Sequence, residues 1–433
     1  SEKILGFKPN PRYAHSCNFF ADNGSIIDNG LAIFFEKPNS YTGEDVLELQ
    51  GHGGIQILSD LLERVLSLNV RLANPGEFTE RAFLNGKIDL LQAEAIADLI
   101  DAGSKELARS AARTLQGEFS ARINELQEQL TVTRVNVEAS IDFSGEDISI
   151  ISETKLLAAL TKTIEDLDRV FQQANQGIIL KDGIHVVIAG EPNVGKSSLL
   201  NTLVGLDSAI VTDIPGTTRD VLKAEISIDG IPFHLSDTAG LRESVDPVEQ
   251  EGINRAKNAI TLADQILLIV DATTLDQQDA NELQQVLKDY VSELSLAPQR
   301  LTSLALIINK IDLSKDRKPT VSKILIDKNN IPVIRLSAKT KIGIDALKSQ
   351  LKNISGYQAL ASGSYSARNR HLLALTTAKE LVASARKKAS EHLHLELVAE
   401  DLRLAQQSLG NITGEFSTDD LLEEIFSSFC VGK

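Results

Sequence analysis

The segment 190–197 carries the residue types and spacing best suited to chemistry. It reads Gly-Glu-Pro-Asn-Val-Gly-Lys-Ser and matches the phosphate-binding loop pattern GxxxxGK[ST]. The apolar run 186–189 before it predicts a buried strand, and 198–201 after it predicts a helix start. Loop N–H groups and the positive helix N-terminus attract phosphate, Lys196 would reach the β- and γ-phosphates, and the Ser197 hydroxyl would bind Mg²⁺. The segment therefore predicts a nucleoside triphosphate site.

Three further motifs follow in order, each directly after an apolar run that predicts a strand. They are Asp237-Thr238-Ala239-Gly240, Asn309-Lys310-Ile311-Asp312 and Ser337-Ala338-Lys339. Asp237 would put a carboxylate on the magnesium, and Gly240 can rotate toward the γ-phosphate. The Asp312 carboxylate can accept from both the ring N–H and the amine of guanine, whereas adenine would leave that charge unpaired. Together the four motifs predict a guanine-nucleotide-binding domain.

Composition limits the class of protein. A length of 433 residues suggests two to four domains, and 42% hydrophobic with 24% charged residues is typical of an ordinary folded protein. The sequence has no apolar run long enough for a bilayer and no basic-then-apolar leader, so we predict a cytoplasmic protein without membrane contact. Two cysteines are too few for a disulfide framework. A net charge of −16 means that any RNA contact must use a local patch or a partner's surface.

The pattern of apolar and polar residues, which indicates helix or strand, changes along the chain. Residues 1–112 mix strand and helix patterns, 113–183 are helical, 184–350 alternate strand and helix, and 351–433 return to helix. The economical arrangement is a doubly wound domain inserted into a helical one. One apolar stripe predicts a helix that stops near Gly177, and it comprises Leu157, Leu160, Ile164, Leu167 and Phe171. Residues 417–420 predict a further helix start.

The catalytic apparatus is less obvious. Leu241 stands where Ras-type enzymes place the glutamine that orients the attacking water, so the water must be positioned from elsewhere. The following loop offers Glu243, Asp246, Glu249 and Gln250, any of which is alternatively a solvated polar group. Segment 209–220 carries threonines that can reach magnesium and carbonyls that suit a hard monovalent cation, which would do the work of an arginine finger.

Five segments together resemble the MnmE (TrmE) family of tRNA modification GTPases, and the resemblance runs nearly end to end. They are 212–220, the Asn193 loop, 49–54 (Leu-Gln-Gly-His-Gly-Gly), 75–87 (Pro-Gly-Glu-Phe-Thr-Glu-Arg-Ala-Phe-Leu-Asn-Gly-Lys) and 429–433 (Phe-Cys-Val-Gly-Lys). The resemblance implies a multidomain fold of α/β plus all-α type, with an N-terminal α+β folate-binding and dimerisation domain (1–112), a helical domain (113–183 and 351–433) and an inserted Ras-like, doubly wound GTPase domain (184–350).

The resemblance also implies function and partners. Such proteins are homodimers that work with the flavoprotein MnmG in a heterotetramer or larger complex. With a tetrahydrofolate derivative, 5-formyl- or methylene-tetrahydrofolate, they add carboxymethylaminomethyl or aminomethyl groups to C5 of the wobble uridine of certain tRNAs. The family's glycine-rich first strand, which carries a folate-contacting arginine, has no counterpart from Ser1 onward.

The resemblance assigns roles residue by residue. Potassium would be held by the Asn193 side chain and the carbonyls of Thr212, Ile214 and Thr217, and magnesium by Ser197 and Thr218. Glu249 would position water, Lys196 and Cys430 would be catalytic, and Glu48, Lys87 and Lys433 would bind folate. GTP would contact Asn193, Val194, Gly195, Lys196, Ser197, Ser198, Thr212, Asp213, Ile214, Pro215, Gly216, Thr217, Thr218, Asp237, Thr238, Ala239, Gly240, Asn309, Lys310, Ile311, Asp312, Ser337, Ala338 and Lys339.

Several residues have competing interpretations. Cys430 could serve the tRNA chemistry, be a plain buried thiol, or belong to a prenylation box, which the terminal Gly432 and Lys433 fit poorly. For His52, a structural role in a tight turn is favoured over catalysis. The basic groups Arg368/Arg370/His371 and 386–388 could meet tRNA or MnmG, but we interpret them as solvated helix faces.

Two other functional classes share these motifs. A ribosome-assembly GTPase should carry an RNA-binding module such as a KH domain with its GXXG loop, and the helical flanks show none. A non-enzymatic switch would bind GTP but turn it over negligibly. Single-turnover hydrolysis with and without potassium separates the switch from the enzyme.

Overall fold

The computed structural model describes the chain except for residues 143–151, 207–222, 238–259, 262, 276–279, 294–297, 315–316, 327–328, 355, 357–362, 392–394, 416–421, 423–424, 428 and 430–433. The chain divides into two compact units. The first unit comprises Ser1–Ala102, Ala108–Gln172 and Tyr365–Lys433, and the second comprises Gly103–Leu107 and Gln173–Ser364. No helix among the described residues combines the length and the apolar character needed to cross a bilayer.

The first unit begins with a small α+β layer. Strands β1 (His15–Phe20), β2 (Ile26–Phe35) and β3 (Val46–Gln50) form an antiparallel sheet in the order β1-β2-β3. Helices α1 (Glu2–Leu5) and α2 (Ile55–Leu66) contribute to the core under this sheet, which is built from Ile4, Leu5, Phe19, Ala32 and Leu61. Strands and helices thus occur together in this part of the chain, as its mixed sequence pattern predicted.

The rest of the first unit is helical. Helices α3 (Glu77–Leu84), α4 (Leu90–Ile100), α5 (Lys105–Leu115), α6 (Glu118–Asp142) and α7 (Glu153–Asp182) follow in order, and α5 and α7 each extend into the second unit. A capping box starts α4, because the Asp89 side chain accepts from the Gln92 N–H and the Gln92 side chain accepts from the Asp89 N–H.

The predicted stop at Gly177 is wrong. Helix α7 runs through this glycine to Asp182, and Gly183 adopts φ +70° directly after it. A single interior glycine costs only about 1 kcal/mol relative to alanine, so it cannot end a helix whose apolar pattern continues to Leu180. The left-handed C′ position supplies the stop at Gly183, where a Cβ would lie 2.9 Å from the Pro232 carbonyl oxygen.

The second unit is the predicted doubly wound domain. Its strands are β4 (Ile184–Ala189), β5 (Lys223–Ile228), β6 (Ile231–Asp237), β7 (Gln265–Asp271), β8 (Leu304–Asn309), β9 (Val321–Ile326) and β10 (Asn329–Arg335), in the order β5-β6-β4-β7-β8-β10-β9. The five central strands pair in parallel, and the edge strands β5 and β9 pair antiparallel. Helices α8 (Lys196–Leu206), α9 (Ala280–Glu293) and α10 (Ile344–Ile354) alternate with them. The carboxyl ends of the parallel strands therefore meet at one edge, where such folds bind ligands.

Helices α11 (Asn369–Ser390) and α12 (Leu395–Thr413) return the chain to the first unit, where α12 packs along both α11 and α6. The start of α11 corrects the interpretation of its basic residues as a solvated face. His371 is buried, with Nε2 3.1 Å from Glu94 Oε2, and Arg368 and Arg370 approach Glu94 Oε1 at 3.3 and 3.1 Å. A buried carboxylate requires cations around it, and Glu94 on α4 draws these side chains inward.

This cluster fixes protonation states. Burial alone would raise the pKa of Glu94, but His371, Arg370 and Arg368 outweigh burial and hold that pKa below its usual range. Burial lowers the pKa of His371, whose Nδ1 accepts from the Arg368 N–H at 3.0 Å. The neutral ring therefore carries its proton on Nε2, facing the carboxylate.

Candidate active site

The phosphate-binding loop joins β4 to α8 in the conformation that its glycines permit. Gly190 has φ +142°, and a Cβ there would lie 2.3 Å from the Ile269 carbonyl oxygen. Gly195 has φ +101°, and a Cβ there would lie 2.3 Å from Asn309 Nδ2. Neither position admits a side chain. Asn193 adopts φ +65°, a left-handed conformation that asparagine tolerates better than most residues.

Lys196 opens α8 and lies across its own loop. Its Nζ donates to the carbonyls of Gly190 and Glu191, both at 2.9 Å. Burial lowers the pKa of Lys196, and the nearby Asp237 carboxylate opposes that effect. Phosphate oxygens are charged acceptors and bind an ammonium more strongly than neutral carbonyls do. The Lys196 ammonium is therefore expected to leave the two carbonyls and bind a phosphate when one is present.

The residues suited to magnesium lie side by side. Ser197 Oγ donates to Asp237 Oδ2 at 3.2 Å, and Asp237 ends β6 with 3% of its surface exposed. Within the described residues no group of three His, Cys, Asp or Glu could hold a metal ion. A hydroxyl with a neighbouring carboxylate nevertheless fits magnesium, which takes few protein ligands and completes its shell with water and phosphate oxygens.

Asn309 ties three segments of the site together. Its Nδ2 donates to the Val194 carbonyl at 2.9 Å, and its Oδ1 accepts from the Ala338 N–H at 3.0 Å. The Ala338 carbonyl in turn accepts from Thr202 Oγ1 at 2.9 Å. Asn309 is buried and uses both ends of its amide on the protein, so it holds the loops in register.

Asp312 has a different environment. Its Oδ1 accepts from Ser337 Oγ at 2.6 Å, and Ser337 Oγ also accepts from the Thr340 N–H at 3.2 Å. Ser337 is fully buried, whereas Lys339 is exposed and Asp312 is half-buried. Ser337 therefore orients the Asp312 carboxylate, and this carboxylate can still accept hydrogen bonds from a ligand. Ile311 is buried in the core of the sheet.

One site residue escaped the sequence analysis. Asp271 ends β7, and its Oδ2 lies 2.6 Å from Lys310 Nζ, which also donates to the Asn193 carbonyl at 2.6 Å. A signal was present, because a lone carboxylate ends an apolar run and the carboxyl ends of parallel strands carry ligand sites.

Ser198 is exposed in the first turn of α8, and the other predicted residues fall into two groups. Glu48 and Lys87 are exposed in the first unit, where Glu48 accepts from Gln50 Nε2 at 3.3 Å and Lys87 Nζ donates to the Pro38 carbonyl at 3.0 Å. The remainder lie outside the described residues: Thr212, Asp213, Ile214, Pro215, Gly216, Thr217, Thr218, Thr238, Ala239, Gly240, Leu241, Glu243, Asp246, Glu249, Gln250, Cys430 and Lys433.

In two of the segments that resemble the MnmE family, 49–54 and 75–87, side-chain hydrogen bonds stabilise the local structure of the first unit. His52 N–H and Nδ1 bind the two oxygens of the Asp28 carboxylate at 2.7 and 2.9 Å, which supports the structural interpretation of this histidine. Glu77, at the start of α3, accepts from Arg71 at 2.7 Å through both oxygens, from Arg81 and from the Asn74 N–H.

Comparison with known proteins shows the family of this chain. The profile of the MnmE helical domain matches residues 90–430, and that of the GTP-binding protein TrmE N-terminus matches residues 2–87. The tRNA modification GTPase MnmE of Shewanella amazonensis is 50% identical over 99% of this chain and 92% of its own length, and that of Hydrogenovibrio crunogenus is 51% identical over 100% and 92%. Among solved structures, the G domain of FeoB from Methanococcus jannaschii is 25% identical over 40% of this chain and 97% of that chain, with a TM-score of 0.27. The chain belongs to the MnmE family of tRNA modification GTPases.

Proposed function

We propose that this chain is a potassium-activated GTPase that works with the flavoprotein MnmG on the wobble uridine of certain tRNAs, adding a carboxymethylaminomethyl or aminomethyl group at C5. The observation that carries the nucleotide part is the bridge made by Asn309, which joins the phosphate-binding loop to the Ser337 loop. The names and the identity of the relatives support the tRNA part.

In this proposal the chain's own residues bind and orient GTP. The loop N–H groups surround the phosphates, Lys196 leaves the carbonyls of Gly190 and Glu191 for the β- and γ-phosphates, and Asp312 pairs with guanine. Ser197, Asp237 and Thr218 would hold magnesium, which neutralises charge that develops on the phosphates. Glu249 would position the attacking water in place of the missing glutamine.

A monovalent cation completes the proposed site. The Asn193 side chain and the carbonyls of Thr212, Ile214 and Thr217 would hold potassium, which supplies positive charge beside the β- and γ-phosphates. Asparagine tolerates the left-handed backbone at φ +65°, so the loop conformation is compatible with an amide side chain at this position.

The proposal also covers the folate site, the roles of the domains and the partners of this chain. A tetrahydrofolate one-carbon donor would bind through Glu48, Lys87 and Lys433, with Cys430 serving the tRNA chemistry. Residues 1–112 would mediate a homodimer, 113–183 and 351–433 would form the helical domain, and 184–350 the GTPase domain. We place the complex with MnmG in the cytoplasm.

The test of this proposal is single-turnover GTP hydrolysis in potassium and in sodium. GTP hydrolysis should be faster in potassium than in sodium by at least about tenfold, which is less than the roughly 10³–10⁵-fold that an arginine finger supplies. Asn193→Ala should lose that preference and keep nucleotide affinity. Asn193→Gly is the matched control, because it removes the amide while relieving the left-handed backbone. Equal rates of the unaltered protein in the two salts would rule out potassium activation, and negligible turnover in both would favour a non-enzymatic switch.

A further inference from the structure

Asp271 lies outside the four nucleotide motifs, yet its carboxylate is built into the site. Its side chain is 15% exposed and forms an ion pair with Lys310 at 2.6 Å. Its other oxygen accepts from Thr273 twice, from the backbone N–H at 2.9 Å and from Oγ1 at 2.8 Å. Three hydrogen bonds therefore hold the carboxylate in one orientation.

The pair is charged. Burial alone would raise the pKa of Asp271, but the hydrogen bonds from Lys310 and Thr273 outweigh burial and keep that pKa below its usual range. Lys310 adopts φ +63°, and its ammonium lies between the Asp271 carboxylate and the Asn193 carbonyl. Without the carboxylate, this partly buried ammonium would keep the Asn193 carbonyl as its only hydrogen-bond partner among the described residues and would gain by moving into water.

The contacts of the Asn309–Lys310 pair decide where the phosphate-binding loop points its N–H groups. Lys310 binds the Asn193 carbonyl, and Asn309 binds the Val194 carbonyl. In a trans peptide the carbonyl and the following N–H point in opposite directions. The N–H groups of Val194 and Gly195 are therefore directed away from these two side chains, which leaves them available to phosphate oxygens.

We propose that Asp271 is a positioning residue for the β-phosphate of bound nucleotide. It holds Lys310 on the Asn193 carbonyl, and this contact fixes the peptide that presents the Val194 N–H. The role rests on the proposed guanine-nucleotide binding but does not require hydrolysis. It predicts that the loss of Asp271 weakens nucleotides with a β-phosphate and spares a nucleotide without one.

The experiment compares GDP and GMP affinities, with fluorescent GDP bound directly and GMP measured by competition. Asp271→Asn should weaken GDP about tenfold and change GMP by less than about twofold, which is the scale of one charge-assisted contact. Asp264→Asn is the matched control, since Asp264 precedes the same strand at its other end and accepts only from the His185 N–H among the contacts that the structure gives it. It should leave both affinities unchanged.

A second pair of variants tests the route through Lys310. Lys310→Met should weaken GDP to a similar extent, and adding Asp271→Asn to it should weaken GDP by less than twofold further. Thr273→Val removes one hydrogen bond to Asp271. It should weaken GDP by less than Asp271→Asn does and again spare GMP, so it provides the test if Asp271→Asn does not fold. The proposal is overturned if GMP weakens as much as GDP, if GDP is unaffected, or if the two losses add in full. GTP turnover does not enter these readouts, so a failure of the proposed activity is seen separately.

Discussion

Two residues of the same four-residue motif do different work. The Asn309 amide donates to the Val194 carbonyl and accepts from the Ala338 N–H, so Asn309 belongs to the framework of the site. Asp312 has one oxygen held by Ser337, and a carboxylate has room for further donors. The side chain with spare acceptors is the one that can distinguish bases, because only a ligand that fills them avoids an unpaired charge.

Asp312→Asn should therefore change base choice without unfolding the site. The new amide oxygen can still accept from Ser337 Oγ, while its N–H₂ offers a donor to xanthine, which carries a carbonyl where guanine has an amine. We expect the ratio of xanthine to guanine nucleotide affinity to rise by at least about 100-fold. Affinities for both nucleotides measured side by side check this, with the exposed Asp229→Asn as control. Retention of the GTP preference by the wild-type margin would show that this loop does not read the base.

At the scale of single residues, the sequence could predict those site residues that belong to a short motif. Loop glycines, Lys196 and Asp312 each belong to a short motif with a fixed internal spacing, so spacing locates them. Asp271 meets a lysine 39 positions away, and His371 meets Glu94 across the first unit. No spacing rule connects such pairs, because the fold alone brings them together. The same limit turned a predicted solvated face into a buried ionic cluster.

At the scale of elements, helix α3 shows how a charged side chain starts a helix. Glu77 is the first residue of α3, where a negative charge suits the helix dipole. Its carboxylate holds Arg71 ahead of the helix and Arg81 one turn along it, and Arg81 also reaches Glu44 at 2.8 Å. Hydrogen bonds from Arg71, from the Asn74 N–H and from Arg81 lower the pKa of Glu77 to about 2.

Stability should depend on pH through this carboxylate. A lowered pKa in the folded state means that Glu77 stabilises the fold fully above about pH 4.5, its ordinary value, and loses that contribution as the pH falls toward 2. We expect Glu77→Gln to reduce the free energy of unfolding at pH 7 by about 1–2 kcal/mol, less than the full shift would give because water screens part of the interaction.

Denaturant unfolding of both proteins at pH 7, 5 and 4 measures this effect. The gap between parent and Glu77→Gln should begin to close below about pH 4.5. Glu80→Gln changes the same residue type one turn later on α3 and is the matched control. A gap that is smaller at pH 4 than at pH 5 agrees with the expectation, whereas one that closes already between pH 7 and 5 would contradict the lowered pKa.

At the scale of the whole molecule, the described end of the chain returns to its N-terminal half. Ile425, Phe426 and Phe429 are buried against Leu90 and Ala93 of α4. A Cβ at Gly76 would lie 2.7 Å from the Phe426 carbonyl oxygen, so this glycine allows a close approach of the two segments. Segment 75–87 and the described residues Phe426 and Phe429 thus share one neighbourhood within the first unit. The phosphate-binding loop belongs to the second unit.

This division predicts that two variants fail in different assays. Glu249→Ala should slow GTP cleavage by about 100-fold, the lower end of general-base effects, and keep nucleotide affinity, because Leu241 cannot orient water and the carboxylate touches water rather than phosphate. Cys430→Ser should hydrolyse GTP normally and leave the wobble uridine unmodified, because its neighbour Phe429 packs in the first unit. GTP turnover and mass analysis of tRNA nucleosides from complemented cells measure both, with Glu243→Ala as control for the loop. Full tRNA modification by Cys430→Ser would mean that the thiol only packs, and normal turnover by Glu249→Ala would move the water-positioning role to another residue of that loop.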